Sequence, residues 1–376
     1  MSFGIYIHVP FCRRRCAYCD FYLTTNTRLI DDFINALNNE IRIFSGLTSD
    51  RNIDTVYFGG GTPSMLLPKQ INEILDTLNR HFALSANPEI SIECNPEDIL
   101  AENNILEDYA KCGINRLSIG VQSFLDDELK FLTRCHDASG SYKSVQTAKD
   151  FFENVSVDII YSIPGKSKAS ALKNIDAVLN LGVPHVSAYT LIFEKGTLLH
   201  KTFESGKIIP NTDSEEAELY FTIGETLVRN GYNHYEVSNF AKPGFESRHN
   251  LKYWNFSEYA GFGPSAHSFF GNKRWNNLRS VSKYIEILGR GELPRENIEV
   301  QTPDKLEKDY FICVLRSSGV DIGVYNNLFG KNFLNCYDSV IRKHLESGNA
   351  ALSEGFFRLT RKGFALADSI TLDFLM

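Results

Sequence analysis

The sequence predicts an α/β protein: an open, partial (β/α)6 barrel followed by a smaller, mostly helical C-terminal unit with a wing. Three observations lead there. From residue 5 to about 192, short runs rich in Val, Ile and Tyr alternate with longer amphipathic stretches, and such alternation puts parallel strands inside and helices outside. Six strand candidates recur on the scale of βα units, fewer than the eight that close a barrel. Beyond residue 192 the alternation fades, and from Asp304 the pattern runs helix, helix, hairpin, helix.

The strand candidates are 5–9, 55–58, 89–93, 116–120, 156–161 and 185–192. Asp31, Asp32, Phe33, Ile34 and Leu37 open the first helix. Ile71, Ile74, Leu75 and Leu78 share one face of a helix over 70–81, as the 3.6-residue period requires. Leu106, Tyr109 and Ala110 mark a third helix, stopped by Gly113. Ala217, Tyr220, Phe221 and Leu227 form the face of a helix over 213–230. The stretch 232–275 is dense in aromatics, Gly and Asn, and 293–303 reads as a linker. The hairpin joins 351–353 to 356–359 through Glu354 and Gly355. The expected divisions are a barrel over 1–230, an aromatic-rich extension over 231–300 and a helical winged unit over 301–376.

Composition narrows the function classes. With 376 residues, 43% hydrophobic and 23% charged, the chain matches a soluble enzyme-like protein of one large domain plus a smaller one. A net charge of −7 argues against a nucleic-acid binder, which is usually basic. No uncharged run approaches the about 18 residues of a membrane span. Eight cysteines are irregularly spaced, and Met1-Ser2-Phe3-Gly4 leads straight into a strand with no signal peptide. The expectation is a reducing cytoplasm with thiols used for metal or chemistry. Cys112, Cys135, Cys313 and Cys336 are expected to be buried thiols.

Parallel barrels do their chemistry on the loops that follow the strands. The first such loop carries Cys12, Cys16 and Cys19 at CxxxCxxC spacing. Thiolates select zinc, copper(I) or iron–sulfur clusters. A closed zinc site wants four ligands, and no cysteine or histidine follows within the next turn or two. Three thiolates suit a cubane cluster with one open iron. Packing as three small hydrophobes is the plainer alternative, against which stands the arginine-rich setting Arg13-Arg14-Arg15. The second loop is Gly59-Gly60-Gly61-Thr62-Pro63, neither a P-loop nor a GxGxxG. Its glycines allow backbone N–H groups to approach a ligand, although a tight turn would have the same composition. Glu93, Gln122, Arg134 and Asp158 stand at or after successive strand ends. Each alone fits a solvated loop. Together they offer acceptors for ribose hydroxyls or an ammonium and a fork for a carboxylate.

The cysteine loop after Tyr6-Ile7-His8-Val9-Pro10-Phe11, the GGGTP loop and the later strand-end motifs together resemble the radical SAM superfamily, over essentially the whole chain. The resemblance is to its coproporphyrinogen-III-oxidase-like branch. It implies a [4Fe–4S] cluster on Cys12, Cys16 and Cys19, with S-adenosylmethionine (SAM) on the open iron. Tyr6, Tyr18, Gly60, Gly61, Thr62, Glu93, Gln122, Arg134 and Asp158 would form the SAM face. Cluster reduction would then cleave the sulfonium to a 5′-deoxyadenosyl radical.

Two departures separate the chain from the oxidases of that branch. They carry a further cysteine where this chain has Phe21, and an N-terminal arm ahead of the first strand, where Tyr6 here lies almost at the start. His249-Asn250-Leu251-Lys252-Tyr253-Trp254 fits HNxxYW, which resembles the signature of the HemW heme-chaperone family. That resemblance implies heme as a third bound group, a heme-accepting partner protein and a homodimer as a conceivable state. His249, Tyr253 and Trp254 are the heme candidates, His and Tyr as iron ligands and Trp as a stacking surface, with His267 a rival. The same residues could equally be core aromatics and a structural histidine. Coproporphyrinogen decarboxylation stands as the alternative activity, and turnover of any kind is left open. Ser162 stands where the family usually has glycine.

Overall fold

Six parallel strands form where the apolar runs predict them. They are β1 (Ser2–Val9), β2 (Asn52–Gly60), β3 (Ala83–Cys94), β4 (Arg116–Gln122), β5 (Asn154–Tyr161) and β6 (His185–Thr190). The computed structural model describes residues 2–48, 51–101 and 104–376. The six strands pair in chain order, each parallel to the next. In β1, Ile5, Ile7 and Val9 are fully buried and share one face, because side chains alternate along a strand. Tyr6 and His8 take the other face. The helix Ile30–Ser45 buries Phe33, Leu37, Ile41 and Phe44 and packs into the core that holds the β1 residues. The helix Pro68–His81 opens with a proline, whose missing N–H costs nothing there. The Gln70 side chain accepts from the Leu67 N–H at 2.9 Å.

The sheet does not close, as predicted, but it is wider than the six strands. It continues with β7 (Asn233–His234), β8 (Asn239–Ala241), β9 (Tyr259–Phe262), β10 (His267–Phe270), β11 (Lys273–Asn277) and β12 (Arg295–Val300). The order is β12-β11-β10-β9-β1-β2-β3-β4-β5-β6-β8-β7. β9 lies parallel to β1 on its free side, and β10 to β12 form an antiparallel meander beyond it. The segment 231–300, expected as an extension, therefore contributes both edges of the barrel sheet. The linker expected over 293–303 is corrected: its middle is the edge strand β12. Glu296, Ile298, Glu299 and Val300 of β12 are exposed, and charges on an edge strand guard it against further pairing. That polarity is what gives the sequence its linker-like look.

The C-terminal unit has its own three-stranded sheet of β13 (Val320–Asp321), β14 (Ala350–Ser353) and β15 (Phe356–Leu359), in the order β13-β15-β14. Glu354 and Gly355, at φ 52° and 81°, make the expected tight turn. Phe311, Phe333, Phe357 and Phe374 fill a separate core. The unit docks on the barrel through Val237 N–H to Arg316 O (3.0 Å) and Ser317 Oγ to Tyr235 O (2.9 Å). Among the described residues no helix is long and apolar enough to cross a membrane.

Ser162, just past β5, adopts φ +60°. That left-handed conformation costs a side-chain-bearing residue about 1–2 kcal/mol. Its hydroxyl offsets the strain by donating to Glu216 Oε1 (2.9 Å) and accepting from Asn211 Nδ2 (3.1 Å).

Candidate functional site

The loop after β1 is tied down at its base, middle and far end. Phe11 bridges to Thr24, with Cys12 N–H donating to Thr24 O (3.0 Å) and Thr24 N–H to Pro10 O (2.7 Å). Arg13 donates to the buried Asp98 carboxylate at 2.6 Å, which Ser64 Oγ also approaches at 2.7 Å. Ala17 N–H donates to Thr133 Oγ1 (2.9 Å), and Ala17 O accepts from Leu199 N–H (2.8 Å). Cys12, Cys16 and Cys19 thereby line one wall of a cavity of about 1040 Å³ at the C-terminal ends of the strands.

Donors point at the sulfurs. Thr62 Oγ1 lies 3.3 Å from Cys12 Sγ and Arg134 Nη1 3.7 Å from Cys16 Sγ. Such contacts stabilise a ligating thiolate. Burial pushes the free Cys12 thiol up to about 11, with the Thr62 hydroxyl opposing it. At neutral pH this sulfur keeps its proton unless a metal replaces it. Among the described residues no three His, Cys, Asp or Glu groups gather around one ion. A cluster whose irons each take a different cysteine does not require that they do. The donor set is soft, partly buried and hydrogen-bonded, and it fits an iron–sulfur cluster.

Next to the thiols lies a corner lined by the carboxyl groups of Glu93 and Asp158. Glu93 Oε1 accepts from Tyr57 OH (2.9 Å) and Oε2 from Gly60 N–H (3.1 Å). Asp158 accepts from Ser118 Oγ at 3.1 Å. Asn95 links Thr62 to Arg134: its Nδ2 donates to Thr62 Oγ1 (3.1 Å), and its Oδ1 accepts from Arg134 Nη2 (2.6 Å). Arg134 Nη2 also reaches Gly120 O at 2.8 Å, while its buried Nε has no hydrogen-bond partner among the described residues. A donor left unpaired this way costs about 1–3 kcal/mol, which a bound acceptor would recover. Gln122, at φ +67°, ends β4 where its register with β5 shifts, and its side chain joins the lining.

Burial, reinforced by Asp158, pushes the Glu93 carboxyl up to about 7; burial pushes Asp158 up to about 6. A carboxyl with a folded-state value above its unfolded one holds an extra proton in the fold. Its contribution to stability is full below the unfolded value and is lost as pH rises through the folded one. The empty protein is therefore expected to lose stability from pH 5.5 to 8 through this pair. Glu93→Gln should flatten that fall and make the empty protein the more stable of the two at pH 8, as thermal unfolding at both pH values would show.

Most of the predicted residues meet here. Cys12, Cys16, Cys19, Tyr18, Gly60, Gly61, Thr62, Glu93, Gln122, Arg134 and Asp158 all line the one cavity. Tyr6 stands behind it, with its hydroxyl 3.2 Å from His8 Nδ1 and its ring stacked on Tyr57. The heme candidates are not brought in. His249 is 1% exposed, its Nδ1 is 2.9 Å from Thr55 Oγ1 and its Nε2 2.8 Å from Tyr253 OH. Both ring nitrogens are engaged, so neither offers a lone pair to iron. Tyr253 and Trp254 lie on the same helix, outside the cavity lining. Of the three heme candidates, among which the sequence leaves the iron ligand open, His249 is thus engaged within the fold. The rival His267 begins β10, also outside the cavity. Cys135 and Cys336 are exposed, against the expectation of burial, and Cys135 lines the cavity. Asn95 was signalled by its place in Glu93-Cys94-Asn95-Pro96. Tyr220, Phe364 and Leu366 also reach the cavity, and nothing local marks them.

A family model described as Radical SAM superfamily matches residues 6–193. The chain is 33% identical over 374 residues to the heme chaperone HemW of Bacillus subtilis, covering 98% of each. It is 33% identical over 373 residues to HemW of Lactococcus lactis, covering 99% of this chain and 97% of that one. Among solved structures, coproporphyrinogen III oxidase (HemN) from Escherichia coli superposes with a TM-score of 0.84 at 22% identity, covering 99% of this chain and 90% of that one. At that identity the superposition speaks for the fold.

Proposed function

The chain belongs to the radical SAM superfamily and, within it, to the HemW heme-chaperone family, and from that premise we propose that it binds heme and passes it to acceptor proteins. The observation that carries the reading is similarity to HemW proteins along nearly the full length of both chains. Its resident groups are a [4Fe–4S] cluster and SAM. Cys12, Cys16 and Cys19 would hold the cluster, with Thr62 and Arg134 donating to two of the sulfurs. Glu93 would receive the SAM ammonium and Asp158 a ribose hydroxyl, beside the backbone of Gly60 and Gly61. When bound, the cluster supplies one-electron reduction of the sulfonium.

The cavity has room beyond that corner. About 1040 Å³ lies at the upper end of single-ligand pockets, which span about 300–1,000 Å³. Its outer wall is apolar, from Ile160, Tyr189, Ile192, Phe364 and Leu366, and Phe21 and Ile192 are 64% and 62% exposed. Flat apolar and aromatic walls suit a porphyrin, which supports this wall as the surface that takes heme as cargo. Phe21, where the related oxidases have cysteine, supports transfer over decarboxylation. Eight free thiols support a reducing compartment, taken here as the cytoplasm.

The test is one anaerobically reconstituted sample in two assays. Hemin titration is expected to give a saturable Soret change. Coproporphyrinogen III with SAM and a reductant is expected to give no vinyl product. Absence of saturable heme binding would overturn the chaperone reading, and vinyl product would restore the oxidase one.

A further inference from the structure

The helix Arg248–Trp254 stands behind the carboxylate corner, and its start is firmly held. Ser247 Oγ accepts from Asn250 N–H at 3.3 Å. The buried Glu89 carboxylate accepts from Arg248 N–H (3.1 Å) and His249 N–H (2.9 Å). Thr55 and Tyr253 then fix the His249 ring in its plane. That ring stacks on Tyr57, with centroids 5.2 Å apart and planes 25° apart. Tyr57 stacks in turn on Tyr6 at 6.2 Å and 22°. Tyr253 meets Tyr259 of β9 edge-on at 4.6 Å, which braces the helix against the strand beside β1.

The clamped Tyr57 ring donates its hydroxyl to Glu93 Oε1 at 2.9 Å, and the other Glu93 oxygen takes the Gly60 N–H. An unbroken set of contacts thus joins HNxxYW to the glycine loop. We propose that this motif is a positioning device for the SAM corner: His249 holds the Tyr57 ring, and Tyr57 holds the Glu93 carboxylate in the orientation that receives the cation. The proposal rests on the assignment of Glu93 to SAM. A flexible carboxylate loses affinity because its ordering must then be supplied by binding; the stacked ring removes that cost beforehand. His249 is too deeply placed to touch either ligand and acts through its neighbour.

SAM affinity by calorimetry and heme affinity by Soret titration, both on reconstituted holoprotein, separate this role from iron ligation. His249→Ala opens space beside Tyr57 and is expected to weaken SAM binding by about tenfold, in the range seen for supporting residues around a cofactor. Tyr57→Phe keeps the ring, removes one hydroxyl and should act in the same direction, which preserves the test should His249→Ala fold poorly. Heme affinity should stay within about twofold in both, since a coupling of less than about 0.5 kcal/mol is that of independent sites. A pH profile adds a readout that general loosening would not move. Glu93 faces Tyr57 on β2, Asp158 on β5, Tyr6 on β1, Tyr189 on β6 and Tyr253 on the motif helix. Losing the Tyr57 donor favours the protonated acid, so the rise of SAM affinity with pH should move to higher pH in Tyr57→Phe. Loss of the Soret change in His249→Ala with SAM affinity intact would overturn the proposal. So would wild-type SAM affinity in both variants while Glu93→Gln loses it. Wild-type affinity in Glu93→Gln would overturn the premise, and the proposal with it.

Discussion

Cys12→Ala is expected to fold and yet to hold no stable cluster, with iron and sulfide after anaerobic reconstitution falling by at least about tenfold, since even supporting residues around a metal site cost 10–100-fold. The side chain is 7% exposed and sits at the pinned base of its loop, with Thr62 as its donor. Its loss removes one small buried group, a cost of about 1 kcal/mol, while Thr24, Pro10 and Asp98 keep the loop closed through contacts that do not involve the sulfur. Folding and cluster retention should therefore separate. Cys135→Ala is the control, because Cys135 is exposed and lines the same cavity outside the CxxxCxxC run. Equal iron loss in the two variants would overturn the ligand assignment.

Gly60→Ala is expected to cost about 3 kcal/mol, the sum of backbone strain and overpacking, and to weaken cluster and SAM retention together. Gly60 has φ +111°, and a Cβ there would lie 2.6 Å from the His8 ring. That ring cannot retreat freely, because its Nε2 is 2.9 Å from Tyr22 O and its Nδ1 3.2 Å from Tyr6 OH. Moving it would release the far end of the cysteine loop. Gly165→Ala isolates the strain alone, since Gly165 has φ +73° and no described residue lies within 4 Å of an added Cβ. It should cost about 1–2 kcal/mol. Urea unfolding of the two variants gives the difference, and equal values would mean that His8 does not crowd Gly60.

The sequence by itself determined the parallel core and the chemistry on its loops. Strand and helix periods are local, so the runs at 5–9 and 70–81 carry their own structure, and CxxxCxxC declares soft-metal chemistry by residue type and spacing. Because a parallel sheet gathers its strand ends on one face, Cys12, Gly60, Glu93, Gln122, Arg134 and Asp158 could be read as neighbours before any coordinates. Tertiary structure decided what depends on distant pairing. β9 sits beside β1 although some 250 positions separate them, and the polar edge strand β12 looks like a linker until β11 pairs with it. Leu366 reaches the cavity only because the C-terminal unit docks there. His249 is the sharpest case. Its side-chain chemistry permits iron ligation, but availability depends on whether its two nitrogens are already engaged. Thr55, 194 positions away, engages one of them, and hydrogen-bond saturation of a buried ring is a property that only the folded chain possesses.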